Sequence, residues 1–287
     1  MNNILVPYDF NSQAKLALEW STNLARQMNC GINLLYVNEI QGILFSVFTP
    51  EQDEEFLEKV VDQLDATAAK ISLKSGINIE AHLRQGRVYQ AIAELADELQ
   101  SSFIVMGTRS NESSNPENNS MAGRNTSRVI RMSKCPVITI GGNKPYEGCK
   151  TILLPLDLTK ITRQKIAWAV KMANLYHAEI KVVSALWSLK TGEIADKLAE
   201  QLELVKNTIL QAGIPCTAKM IETPSGAKTA VPCILEYARQ EGDIDLIIIM
   251  TQQESVLVRF FVGTHAQEFI RIAEIPVMSV VPEDLES

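Results

Sequence analysis

The chain has 287 residues, 46% hydrophobic and 21% charged, with 27 Lys and Arg against 34 Asp and Glu, a formal net charge of −7. This is the composition of an ordinary globular protein, long enough for two domains with a core each, and it excludes disordered and collagen-like chains. The acidic balance argues against nucleic acid as a partner, because phosphate contacts need clustered Lys and Arg. The longest apolar runs, such as 246–250, fall far short of the ~20 residues that a membrane span requires. The start, Met1-Asn-Asn-Ile-Leu-Val-Pro7, carries no basic leader, so the expectation is a cytoplasmic protein with neither a nucleic acid nor a membrane as partner.

In chain order, the first half alternates strand and helix patterns. Asn3–Pro7 reads as a short apolar strand, and Ser12–Met28 as a helix with Leu16, Trp20, Leu24 and Met28 at i+4 steps. A strand over 32–37, a helix over 51–73, a strand over 78–83 and a helix over 88–99 follow. A strand over 103–106, a polar loop, a helix over Arg124–Met132 and a strand over 136–140 complete the half. The second half repeats the order from Thr151 to Val281. Apolar strands separated by helices predict parallel sheets covered on both faces.

The halves are one design written twice. Val6-Pro7-Tyr8-Asp9 answers Leu154-Pro155-Leu156-Asp157 at an offset of 148, which also pairs Trp20 with Trp168 and Ala25 with Ala173. Met106 answers Met250 at 144, and Pro136-Val137 answers Pro276-Val277 at 140. Such drift marks loop insertions between blocks that keep their order. The predicted fold is α/β: two tandem doubly wound domains, 1–142 and 149–287, joined by a linker over 143–148. Each holds a five-stranded parallel sheet of order 3-2-1-4-5 with helices on both faces, and a crevice outside the carboxyl ends of strands one and four.

Asp9 and Asp157 follow the first strand of each half and so overhang that crevice. Two readings stand open for them: an acceptor for the base or ribose of a nucleotide, or a helix N-cap. Gly107 after strand four and Gly123 before the next helix would let backbone N–H groups approach an anion. No P-loop and no G-x-G-x-x-G fingerprint occurs. The five cysteines and three histidines lie scattered without metal-ligand spacing, so no metal site is expected. Reduced, buried thiols are the expectation for the cysteines.

The motifs Ile4-Leu-Val-Pro-Tyr-Asp-Phe10, Phe103-Ile-Val-Met-Gly-Thr-Arg109 and Gly123-Arg-Asn-Thr-Ser-Arg-Val129 resemble those of universal stress protein domains. Ile152-Leu-Leu-Pro-Leu-Asp157 and Gly263-Thr-His-Ala266 do so in the second half. The resemblance implies a stress-response protein, and in members that bind ATP a G-x2-G-x9-G-[ST] pattern. Here Gly107 fits the first glycine, Ser110 stands at the second, and Gly123 precedes Arg124 after 16 steps, longer than the pattern. In the second half Thr251 and Glu254 take the first two positions and only Gly263-Thr264 survives, after 12 steps.

On that resemblance, ATP or another adenine nucleotide would meet Pro7, Asp9, Val37, Met106, Gly107, Arg109, Gly123, Arg124, Asn125 and Thr126 in a degenerate first site. Asp157, Gly263 and Thr264 would remain of a lost second one. The resemblance also implies a non-enzymatic role through an unidentified protein partner, and fifth strands that pair the two halves as a pseudo-dimer within one chain. A homodimer of such chains is compatible with the same strand edges. The competing readings are an ATP-binding stress protein with slow nucleotide hydrolase activity, and a flavin-binding or electron-transfer module, which this strand order can host.

Overall fold

The computed structural model describes residues 3–39, 50–108, 124–156, 162–187, 193–224, 229–251 and 264–282. The chain divides into two compact units, Met1–Tyr146 and Glu147–Ser287. Unit 1 runs β1 (Asn3–Pro7), α1 (Ser12–Met28), β2 (Gly31–Asn38), α2 (Pro50–Ser75), β3 (Ile79–Gln85), α3 (Val88–Glu98), β4 (Phe103–Gly107), α4 (Arg124–Met132) and β5 (Val137–Ile140). Unit 2 repeats it as β6 (Thr151–Leu156), α5 (Thr162–Tyr176), β7 (Glu179–Trp187), α6 (Glu193–Gln211), β8 (Cys216–Thr223), α7 (Val231–Glu241), β9 (Leu246–Met250), α8 (Thr264–Ile272) and β10 (Val277–Val280).

The strand order is β3-β2-β1-β4-β5 in unit 1 and, equivalently, β8-β7-β6-β9-β10 in unit 2. Within each unit the pairs are parallel, so the 3-2-1-4-5 order expected from sequence holds in both. Ile4, Leu5 and Val6 of β1 and Ile152, Leu153 and Leu154 of β6 are fully buried, as strands covered on both faces must be.

Helix α1 shows how the local rules position the site. Asn11 caps it, its Oδ1 accepting the Ala14 N–H at 2.7 Å, and Asn29 closes it in the left-handed region at φ 50°. The buried face is centred on Ala14, Ala17, Leu18, Trp20, Ser21, Leu24 and Ala25, while Leu16 and Met28 are only half-buried. The i+4 stripe is therefore rotated toward small residues, which let the helix backbone approach the sheet closely. Trp20 packs edge-on against Tyr146, ring centroids 6.0 Å apart, and the Tyr146 hydroxyl donates to Asn23 Oδ1 at 2.8 Å. Part of the segment read as linker is thus folded onto α1. Trp168 differs from its counterpart: it is half-buried, with the Lys171 ammonium 4.3 Å above its ring.

Hydrogen-bond register corrects one alignment drawn from sequence. Gly107 pairs with Ile140, and Met250 with Val280. One residue on, the Thr108 N–H donates to the Ile140 carbonyl, and the Thr251 N–H to that of Val280. Met250 therefore answers Gly107, not Met106, and Thr251 answers Thr108, not the first glycine. The identical methionines invited the one-residue slip. With Met250 in the first position, Gly263 follows at 13 steps, and the second position falls on Gln253 instead of Glu254, which lies outside the described residues along with Ser110.

Candidate functional site

In unit 1 the β1–β4 ladder joins Ile4 to Phe103 and Leu5 to Ile104. It stops there, although both strands run on, to Pro7 and Gly107. The strands part at their carboxyl ends, and the chain reverses its winding between them, which is where an open α/β sheet holds its ligands. Unit 2 shows the same short ladder, Ile152 to Leu246 and Leu153 to Ile247.

The residue after β1 and Tyr8 is Asp9. Its Oδ1 accepts the Asn11 N–H at 3.3 Å and its Oδ2 accepts the Asn11 side-chain amide at 2.9 Å. Between them Phe10 takes φ 64°, a conformation rare for a bulky residue and costing about 1–3 kcal/mol. Its ring is held at 5.1 Å from Tyr8 and 5.9 Å from Tyr36, centroid to centroid. Burial, and then the Asp9 carboxylate, push both phenols above their ordinary pKa. Asn11 does two jobs, capping α1 and fixing Asp9. The N-cap reading of Asp9 therefore falls, because the N-cap is Asn11, and Asp9 stands as a half-buried carboxylate hydrogen-bonded to Asn11.

Gly107 has a packing reason of its own. A β-carbon there would lie 2.8 Å from the Gln13 β-carbon and 3.3 Å from its carbonyl carbon, so the bare backbone lets the first turn of α1 sit against the end of β4. Gln13 is buried; its Nε2 donates to the Gly142 carbonyl at 3.2 Å, and its Oε1 accepts from the Thr108 hydroxyl at 3.2 Å. Of the remaining residues expected at the site, Pro7 ends β1 and Val37 stands one residue before the end of β2, both half-buried, and Met106 is buried. Asn125 and buried Thr126 stand in the first turn of α4. Arg109, Gly123, Asp157 and Gly263 lie outside the described residues, as do the side chains of Arg124 and Thr264.

Sequence reasoning missed Asn11 and Gln13. A polar residue directly before an apolar-periodic run is an N-cap signal, so Asn11 was within reach. Gln13 was not, since only the fold shows it facing Gly107. Among the described residues no group of three or more His, Cys, Asp or Glu could hold a metal ion, and no helix is long and apolar enough to cross a membrane. All five cysteines are free, but only Cys149 and Cys216 are buried, while Cys30, Cys135 and Cys233 are half-buried, so the expectation of buried thiols holds for two of them. Burial raises the Cys135 and Cys216 thiols to about 11 and that of Cys149 further still.

Fold and crevice together define a tandem of doubly wound α/β domains, each with its first and fourth strands parting at the topological switch point. The profile of the universal stress protein family matches residues 1–141 and again 148–281. The chain belongs to the universal stress protein family, as two tandem domains. A curated universal stress protein from Synechocystis sp. is 30% identical over 145 residues, 48% of this chain and 83% of that protein. The crystal structure of a universal stress protein from Archaeoglobus fulgidus is similar at TM-score 0.74 and 20% identity, covering 99% of this chain and 97% of that one. A putative universal stress protein from Pseudomonas aeruginosa is similar at TM-score 0.69 and 18% identity, covering 98% and 94%.

Proposed function

We propose that unit 1 is a receptor for an adenine nucleotide, that unit 2 has lost this capacity, and that the protein works without catalysis, through contact with a protein partner in the cytoplasm. The observation that carries this reading is the Asp9 carboxylate, fixed by Asn11 at the mouth of the β1–β4 crevice. A carboxylate offers several lone pairs to the amine of a base or the hydroxyls of a ribose. Asn125 and Thr126 stand in the first turn of α4, where the backbone N–H groups of a helix start favour an anion. Arg109, Gly123 and Arg124 belong to the same proposed site. In unit 2 a methionine replaces the glycine that lets helix and strand close together. The inter-half pairing through the fifth strands, a homodimer, and the boundaries 1–142 and 149–287 stand as proposals beside it.

The test is to denature the purified protein, chromatograph the supernatant for adenine nucleotides, and titrate Mg-ATP calorimetrically on the same batch. Near one equivalent per chain, lost in Asp9→Ala, supports the reading. Two equivalents overturn the assignment of unit 2, and none with no heat overturns that of unit 1. Steady release of product from bound ATP would favour the slow hydrolase instead.

A further inference from the structure

The duplication supplies an internal comparison for each residue near the crevice. At the start of α3 stands Arg87, the N-cap, with no side-chain cap hydrogen bond and no acidic residue in the first turn. The first N–H groups of a helix lack i−4 partners; here the Gln90 N–H reaches the Arg87 carbonyl at 3.0 Å, and the N-cap side chain supplies no acceptor for the first turn. Gly86, at φ 130°, turns the chain from β3 into this helix. One residue inside it is Tyr89, half-buried. The Arg128 guanidinium of α4 lies 4.7 Å from the Tyr89 ring centroid, and Arg87 Nη1 is 3.5 Å from the Tyr89 hydroxyl. Both arginines are exposed, and neither has a carboxylate partner among the described residues. Nearby Arg84 and Lys134, by contrast, are paired with Glu98 and Asp97.

Unit 2 closes the same place. The matching hydrogen bonds Ala91 N–H to Arg87 carbonyl and Ile234 N–H to Ala230 carbonyl set Ala230 at the Arg87 position and Pro232 at that of Tyr89. Ser133 N–H to Val129 carbonyl and Ala273 N–H to Phe269 carbonyl set Glu268 at the Arg128 position. There the Thr229 hydroxyl donates to Glu268 Oε2 at 2.5 Å. Unit 2 carries a hydrogen-bonded carboxylate where unit 1 carries two guanidiniums on a tyrosine, without a carboxylate partner among the described residues.

We infer that Arg87, Tyr89 and Arg128 form a phosphate-binding site at the α3–α4 junction of unit 1, taking a phosphoryl dianion. The tyrosine orders both forks before the ligand arrives, which lowers the entropy lost on binding. Guanidinium forks match phosphate geometry bidentately, and the N–H groups of the α3 start add donors of the same sense. The dianion has two sources: a free phosphate or pyrophosphate, or the phosphoryl end of a nucleotide, since α3 and α4 both begin at the carboxyl end of the sheet. The site stands without the nucleotide reading of Asp9.

The test is calorimetric titration of the full-length protein with pyrophosphate, adenosine and ATP separately at low ionic strength. The variants are Arg87→Gln/Arg128→Gln, Arg87→Lys/Arg128→Lys and Asp9→Ala, each checked for folding by circular dichroism. Pyrophosphate is expected to bind wild type and Asp9→Ala alike. The Gln pair should weaken it at least about tenfold, the scale of one or two charge-assisted hydrogen bonds, and the Lys pair should retain part of it. ATP weakened in the Gln pair with adenosine unchanged assigns the dianion to the nucleotide. ATP unchanged with pyrophosphate weakened assigns it to a free phosphate. No pyrophosphate binding, or equal binding by the folded Gln pair, overturns the site.

Discussion

Gly107 and Met250 occupy one position in two copies of the same sheet, Gly107 paired with Ile140 and Met250 with Val280. In unit 1 the place of the missing β-carbon is 2.8 Å from the Gln13 β-carbon. That atom is fixed to the α1 backbone and cannot swing aside. Gly107→Ala should therefore destabilise unit 1 by about 1–3 kcal/mol, the usual cost of overpacking. A urea midpoint lowered at unchanged slope would show it, and an unchanged midpoint would mean that α1 shifts freely.

Asn11 joins helix start and site. Asn11→Ala removes the cap on Ala14 and the side-chain amide hydrogen bond to Asp9 Oδ2, leaving only the backbone N–H to Asp9 Oδ1, for an expected loss of about 0.5–2 kcal/mol. Asn11→Ser keeps the cap acceptor but not the amide donor to Asp9. If the proposed nucleotide site exists, Asn11→Ser should weaken adenosine binding more than it lowers stability, which calorimetry and urea unfolding separate.

The pair His82 Nε2 and Asn33 Oδ1, 2.8 Å apart, sets a pH dependence. Burial and then the Arg84 charge hold the His82 imidazole below its ordinary pKa, with Glu80 and Glu98 opposing. The fold thus prefers neutral His82, while the unfolded chain takes up a proton near pH ~6.5. This contribution is fully present above that value and is lost as the pH falls from it through the lower folded pKa. His82→Gln keeps a donor for Asn33 and should flatten the part of the stability profile that falls below pH ~6.5. An unchanged slope would show that another group carries it.

Tyr146 ties residues 142–146 to α1 through Asn23 and Trp20. Tyr146→Phe should cost about 0.5–1.5 kcal/mol for one hydrogen bond, and Tyr146→Ala more, with a shifted Trp20 emission. Wild-type stability in both variants would show that the tyrosine adds nothing to unit 1.

The architecture was legible because apolar runs and i+4 spacing are local, and because the two halves check each other. The strand order rested on analogy with other doubly wound sheets and on no residue of this chain. What escaped depended on contacts across the fold. The packing of Gly107 on Gln13 joins residues 94 positions apart, so the glycine read as a phosphate cradle when the helix beside it also requires it. The methionine match at 106 and 250 was a coincidence of type that only ladder register could expose. Asp9 was found, but its orientation rests on the left-handed Phe10, which no composition rule announces.

The cysteines give the molecule a built-in clock. Cys149 and Cys216 are buried and held as thiols in unit 2, whereas the thiolate is the species that reacts. A maleimide at neutral pH can modify these two quickly only while the structure around them is open. The order in which they are labelled therefore ranks how often the start of β6 and the start of β8 open, under conditions where the folded chain predominates.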